Sequence, residues 1–156
     1  MKKNSAIDFY LKVIAWIFFC LSLAGIHNHI KINSRAVVNE SAAAQTIQTL
    51  CILQTQFAQK HRGKYASTFG ELIKTGALDE KFDGQNPLVN GYVFEMKVTE
   101  PTSETPPFYS ITADPLVSEG FIFNKTGEFH FYYDSTLGVV KVTEQNRQAN
   151  PDDASF

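Results

Sequence analysis

The residues that could do chemistry are few and lie far apart. His27 and His29 alternate just after an apolar stretch, a spacing that could chelate a metal ion on an extended chain. Two histidines without a nearby cysteine or carboxylate rarely suffice, so we interpret them as polar residues at the boundary of that stretch. Asp79, Glu80 and Asp83 lack the ligand spacing and terminal glutamate of an EF-hand, which favours a solvated acidic loop over a calcium site.

The remaining histidines and the cysteines do not converge either. His61 lies at a predicted helix end, and His130 lies on a predicted strand among aromatic residues, where a packed histidine is commoner than a catalytic one. Cys20 and Cys51 would be about 45 Å apart on one continuous helix, which is too far for a disulfide bond within the chain.

Motifs of the well-known enzyme classes are missing from the sequence. It contains no nucleophile elbow, glycine-rich phosphate loop, Cys-x-x-Cys pair or His-Glu-x-x-His helix. We therefore predict a protein that is not an enzyme, with no catalytic, cofactor-binding or metal-binding residues and no cofactor. The alternative, an enzyme with a dispersed site, would depend on His61 or His130.

Length and charge limit the organisation and the partners. The 156 residues include 14 Lys and Arg against 16 Asp and Glu, a net charge of -2, with no basic stripe. We expect no nucleic-acid partner, and no pattern identifies a small-molecule substrate. After a leader of about 26 residues, one domain of roughly 115 ordered residues remains.

The N-terminal region, residues 1–30, is predicted to be a membrane anchor or signal segment. Residues 13–26 carry no charge, and Lys12 could extend this span towards the about 20 residues that cross a bilayer. Lys2 and Lys3 favour a cytoplasmic N-terminus, which predicts a single-pass transmembrane signal-anchor. The alternative is a signal peptide that is cleaved after Ala24.

Residues 31–142 are predicted to form a head domain that begins with an amphipathic helix. From Ala36 onward apolar residues recur at spacings of three and four, and glutamines, Gln54 among them, fall mostly between them. Gly63 can take the left-handed cap of this helix. Thr68 and Glu71 have capping-box spacing and predict a second helix of about two turns.

The rest of the head is predicted to be an antiparallel sheet. Alternating apolar residues and turn signals indicate four or five strands, over residues 91–98, 108–113, 120–123, 128–133 and 137–142. Residues 78–90 show turn signals without a clear period, and the polar tail, residues 143–156, is predicted to be disordered. The candidate core residues are Ile47, Leu50, Phe57, Tyr92, Phe94, Phe121, Phe123, Phe129 and Phe131.

Several short stretches together resemble the type IV pilin-like and pseudopilin family. Besides the apolar helix that continues into an amphipathic one, they are Lys64-Tyr-Ala-Ser-Thr-Phe-Gly-Glu-Leu72, Gly76-Ala-Leu-Asp79, Gly91-Tyr-Val-Phe94, Tyr109-Ser-Ile-Thr-Ala-Asp-Pro115 and Phe131-Tyr-Tyr-Asp-Ser-Thr-Leu-Gly-Val-Val140. The resemblance implies an α+β fold, in which a long N-terminal helix with a membrane part and an amphipathic part packs on a four- to five-stranded antiparallel sheet. Residues 4–12 lack the family's prepilin-peptidase motif, a small residue followed by Phe and then Glu.

The resemblance also implies a function. It suggests a non-enzymatic, membrane-anchored subunit or accessory of a type IV pilus or type II secretion-like assembly. Such a protein would lie in the bacterial inner membrane with a periplasmic or extracellular head, and its N-terminal helix would contact copies of itself or other pilin-like subunits. The missing peptidase motif leaves an alternative, a free-standing membrane-anchored extracytoplasmic binding domain of pilin-like fold that does not polymerise.

Overall fold

A computed structural model describes residues 5–103, 105–119 and 125–156, and within the first helix it describes side chains at residues 12–23 and from 35 onward. Helix α1 spans Ser5–Lys60, helix α2 spans Phe69–Lys74, and a 3-10 turn spans Glu80–Phe82. The strands are β1 Leu88–Val89, β2 Tyr92–Thr99, β3 Phe108–Pro115, β4 His130–Asp134, β5 Lys141–Thr143 and β6 Ala154–Ser155. The strand predicted over residues 120–123, with the candidate core residues Phe121 and Phe123, lies outside the described residues.

The strands form one antiparallel meander in which each strand pairs with the next along the chain. β2 and β3 are paired over their full length, from Tyr92 opposite Pro115 to Thr99 opposite Phe108. β4 then pairs with β3, β5 with β4 and β6 with β5. Because sequential strands are neighbours, the sheet is built from local connections that run from one edge to the other.

The first hairpin was missed by the sequence analysis, although its turn has a strong signal. Asn90 and Gly91 join β1 to β2, and both have positive φ, 50° and 77°. Two consecutive positive φ values are what a two-residue type I′ turn requires, and Asn-Gly is its preferred pair. β1 itself has only two residues, so its own sequence shows no period.

The core lies between one face of α1 and one face of the sheet. Most buried residues of α1 recur at spacings of four and three, namely Ala36, Glu40, Ala43, Ile47, Leu50 and Gln54, and Ala44 and Leu53 lie beside this row. The odd-numbered residues of β3 and β4 and the even-numbered residues of β2 face them, among them Ile111, Phe131 and Phe94. Of the candidate core residues, Ile47, Leu50, Tyr92, Phe94 and Phe131 are buried, whereas Phe57 and Phe129 are half-buried.

The predicted fold class, a long N-terminal helix with a membrane part packed on a four- to five-stranded pilin-like sheet, is wrong. The sheet has six strands, because the hairpin at Asn90 and a returning C-terminal segment each add a two-residue strand. In addition, none of the described helical residues makes up a stretch that is both long enough and apolar enough to cross a membrane.

The same finding corrects the predicted location. A single-pass inner-membrane protein with a cytoplasmic N-terminus and a periplasmic or extracellular head requires a membrane-spanning helix, and so do the transmembrane and signal-anchor assignments. The physical reason is length. The uncharged run, residues 13–26, has 14 residues and extends about 21 Å as a helix, whereas the apolar layer of a bilayer is about 30 Å thick.

The C-terminal segment, for which disorder was predicted, folds back along the sheet. Ala154 of β6 pairs with Val142 of β5, and the backbone N–H of Phe156 donates to the carbonyl of Val140 at 2.9 Å. The guanidinium of Arg147 forms an ion pair with the carboxylate of Asp153. Contacts between distant residues hold this segment, and a polar composition does not reveal them.

Candidate functional site

The most unusual surface among the described residues is the apolar segment of α1, which we define as residues 13–23. Its large apolar side chains have exposed fractions between 39% and 70%, and they are Val13, Ile14, Trp16, Ile17, Phe18, Phe19, Leu21 and Leu23. Cys20 is exposed among them. In the head, by contrast, α1 has one buried face and one exposed face.

The apolar segment has no polar face. Successive residues of an α-helix point about 100° apart, so a continuous apolar run covers every direction around the axis. Ser22 is the one hydroxyl residue of the segment, and its Oγ donates to the backbone carbonyl of Phe19 at 2.8 Å. A helix that is apolar all round is normally buried. Covering it on one side only would leave most of its surface in water.

One stripe of this segment has a regular composition. Lys12, Val13, Trp16, Ile17, Cys20 and Leu21 repeat at spacings of four and together line a shallow groove along the helix. Lys12 supplies the single charge of the stripe, at its N-terminal end. The thiol of Cys20 lies in the apolar part of the stripe. Its crosslinking therefore measures which residues pack against the stripe.

A second group of polar residues lies on the face of the sheet that points away from α1. His130 Nδ1 is 2.6 Å from Asp114 Oδ1, and the two side chains are 7% and 27% exposed. His130 Nε2 is solvent-excluded and has no hydrogen-bond partner in the described structure. His130 donates to the Asp114 carboxylate when Nδ1 carries the ring proton, so we assign that tautomer to His130.

The C-terminal segment contacts the carboxylate of this pair. The side-chain amide of Gln148 donates to Thr112 Oγ1 and to Asp114 Oδ2, each at 3.1 Å. Ala149 beside it is buried. The burial of His130 and its contact with Asp114 support the interpretation of His130 as a packed residue.

Neighbouring polar residues of this face are also tied into the fold. Tyr132 Oη donates to Asp134 Oδ2 at 3.0 Å, and burial together with this carboxylate raises the pKa of Tyr132 to about 12. Burial acts to raise the pKa of Asp134, but hydrogen bonds from Thr136, Leu137 and Tyr132 outweigh it and hold that pKa below its usual value. Asp134 caps the turn after β4 with these bonds.

The other candidate reactive residues in the head have structural roles. His61 stacks on Phe57 with ring centroids 3.8 Å apart, at the end of α1. Burial raises the pKa of the Cys51 thiol, although hydrogen bonds to Tyr109 and Tyr133 act to lower it. A thiol with a raised pKa is a poor nucleophile.

The acidic loop and the histidine pair are the two places that the sequence analysis considered as metal sites. Asp79 Oδ1 accepts the backbone N–H of Lys81 at 2.9 Å and so caps the 3-10 turn. Within the described part of the chain no three metal-binding side chains come together, Glu80 and Asp83 included. The side chains of His27 and His29 lie outside the described residues.

One buried polar residue was misplaced by the sequence analysis. Gln54 was assigned to the polar side of α1, but its side chain is fully buried. The signal that could have found it is spacing, because Gln54 continues the four-three repeat of Ile47 and Leu50.

Comparison with known proteins adds no relative. No protein-family model matches the chain, and neither a curated protein nor a solved structure matches it.

Proposed function

We propose that the protein is a non-enzymatic subunit or accessory of a multi-subunit assembly, of the type IV pilus or type II secretion-like kind that its short motifs resemble. Its α1 helix joins the assembly, and its sheet domain remains outside the contact. The observation that carries this proposal is the apolar segment, residues 13–23, which is exposed on every side. A surface of this kind favours partners that surround it.

Hydrophobic burial supplies the energy for such a contact. Each large apolar side chain that moves from water into a packed interface contributes about 1.5–3 kcal/mol. The segment offers eight of these side chains, with exposed fractions of at least 39%. Fixing the partners in place costs free energy, and the contact forms where the apolar contribution exceeds that cost.

The occupant we propose is the same segment of other copies of this chain. No charged residue occurs between Lys12 and Leu23, so parallel copies meet without a charge facing an apolar side chain. Several neighbours, and not one, are needed to cover a helix that lacks a polar face. The partners are therefore expected to be homo-oligomeric, with related subunits able to take equivalent places.

Oxidative crosslinking through Cys20 tests the contact. In full-length protein that carries Cys51→Ser, Cys20 is the single thiol, and we expect copper-phenanthroline to convert the chain rapidly into disulfide-linked dimers. The matched control carries Cys20→Ser, Cys51→Ser and Ile52→Cys, which moves the thiol to an exposed position of α1 in the head. Crosslinking at Cys20 that is no faster than at this control position would contradict the proposal.

A further inference from the structure

The outer edge of β2 is open over most of its length. β3 pairs with all eight residues of β2, whereas β1, on the other side, pairs only with Tyr92 and Val93. From Glu95 to Thr99, no described strand lies along that side. Unpaired strand edges bind further strands, and proteins normally cover or shorten them.

The direction of the backbone groups along this edge follows from one hydrogen bond. The N–H of Phe94 donates to the carbonyl of Pro87 at 3.0 Å, which places the backbone groups of Phe94 on the side of β1. Because these directions alternate along a strand, the N–H and C=O groups of Met96 and Val98 point to the same side. Those of Glu95 and Lys97 point to β3.

A pocket of about 360 Å³ adjoins this edge at Met96. If β1 were longer, Gln85 would oppose Met96, but residues 83–85 form no strand pairing with β2 and instead form one wall of the pocket. Residues 67–70, at the start of α2, form the other wall. The pocket therefore opens where the missing part of an edge strand would lie.

The charge of the pocket favours a cationic side chain. Asp83 is the single charged residue among those that line it, and its side chain is in no ion pair within the described structure. On the adjacent strand, Lys97 is paired with Glu95 at 3.1 Å, so the nearest lysine of the edge is already engaged. A cationic side chain that enters the pocket meets an uncompensated carboxylate.

We propose that this edge and pocket bind an extended peptide segment of a partner protein. The segment adds a strand antiparallel to β2, exchanges backbone hydrogen bonds with Met96 and Val98, and directs a lysine or arginine side chain towards Asp83. The site lies on the head, apart from residues 13–23, and does not depend on the proposed assembly function.

A labelled peptide tests the proposal on the full-length protein. The probe is a fluorescein-labelled, C-terminally amidated peptide of sequence Gly-Thr-Val-Ser-Val-Lys, whose terminal lysine can lie opposite Met96 without meeting Pro87, and its control has glutamate in place of lysine. We expect a saturable rise in fluorescence anisotropy with the lysine peptide and binding at least about fivefold weaker with the glutamate peptide. Equal binding of the two peptides, or no saturable binding of either, would overturn the proposal.

Two pairs of variants locate the binding. Val98→Pro removes only an N–H that points outward, because the N–H of Val98 takes no part in the pairing with β3, and Val98→Ala keeps this N–H. Loss of one backbone hydrogen bond predicts about a fivefold or larger rise in Kd for Val98→Pro alone. Asp83→Asn should weaken binding of the lysine peptide. Glu80→Gln, the same charge change outside the pocket, should leave this binding unchanged.

Hydrogen exchange keeps the test decisive even if Val98→Pro fails to fold. In the unmodified protein the amides of Met96 and Val98 should exchange faster than those of Glu95 and Lys97, and saturating lysine peptide should slow the first pair alone. Slow exchange at Met96 and Val98 without peptide, or no slowing with it, would show that this edge is not the binding site.

Discussion

The side-chain amide of Gln54 makes two hydrogen bonds to the backbone of a single residue, Ala66. Gln54 Nε2 donates to the carbonyl of Ala66 at 2.8 Å, and Gln54 Oε1 accepts its N–H at 2.9 Å. Both residues are fully buried. The amide therefore takes the place of a neighbouring strand for the segment that connects α1 to α2, and it holds that segment on the helix.

Replacing Gln54 with leucine should strongly destabilise the fold. The change leaves the buried N–H and C=O of Ala66 without partners, which costs about 2–4 kcal/mol of unfolding free energy. Urea unfolding followed by far-UV circular dichroism measures the loss. Gln48→Leu, the same change at an exposed position of α1, should alter the unfolding free energy by less than about 0.5 kcal/mol. Equal effects of the two variants would refute the bridging role.

The packing of α1 on the sheet predicts a contrast between two neighbouring apolar residues. Leu50 is fully buried and Ile52 is 58% exposed. Leu50→Ala should lower the unfolding free energy by about 2–5 kcal/mol because it leaves a cavity, whereas Ile52→Ala should cost less than about 0.5 kcal/mol. A loss well under about 1 kcal/mol for Leu50→Ala would contradict the observed packing.

Gly127 is predicted to tolerate no side chain. A Cβ at this position would lie 2.1 Å from Tyr92 Oη, which itself donates to the carbonyl of Phe129 at 2.9 Å. Gly127→Ala must therefore displace a buried tyrosine, and we expect a loss of about 1–3 kcal/mol in denaturant unfolding. In Gly70→Ala the new Cβ has 3.8 Å to its nearest neighbour, inside α2. That control should be neutral or slightly stabilising.

The ion pair between Arg147 and Asp153 in the C-terminal segment predicts a pH dependence of known sign. Hydrogen bonds from Arg147 lower the pKa of Asp153 to about 2. A carboxyl group whose pKa is lower in the folded than in the unfolded chain stabilises the fold above its unfolded pKa, near about 4, and loses that contribution as the pH falls towards about 2. The difference in Tm between the unmodified protein and Asp153→Asn should therefore shrink between about pH 5 and pH 2.

Asp152→Asn is the matched control for Asp153→Asn. Asp152 is adjacent and exposed, and its carboxylate has no hydrogen-bond partner in the described part of the chain. Its difference in Tm should stay small across the same range. A constant difference for Asp153→Asn down to about pH 2 would show that the pair with Arg147 does not stabilise the folded C-terminal segment.

Local signals predicted the elements that local interactions determine. Gly63 has the expected positive φ of 85°, and its N–H closes the end of α1 on the carbonyl of Ala58 at 2.8 Å. Thr68 caps α2 as predicted, although the Glu71 carboxylate accepts the N–H of Ser67 and not that of Thr68. Alternation predicted β2 within one residue at each end.

The remaining features depend on contacts between distant parts of the chain. β6 exists because Val142 offers it a free edge, and Gln148 is fixed by Asp114, 34 residues away. The polar composition of the C-terminal segment was the only basis for predicting that it is disordered. Gln54 was misassigned for a related reason, since a glutamine is buried only where a peptide group such as that of Ala66 is available to both ends of its amide.

The solution mass of the full-length protein tests the central claim most directly. Sedimentation equilibrium should give an oligomer, a multiple of the 17.5 kDa chain, that dissociates to the monomer in Ile17→Glu because a charge buried in the apolar contact is strongly unfavourable. Ile52→Glu, on the exposed side of α1 in the head, should leave the oligomer intact. A monomeric mass for the unmodified protein at all concentrations, or an unchanged oligomer in Ile17→Glu, would contradict assembly through residues 13–23.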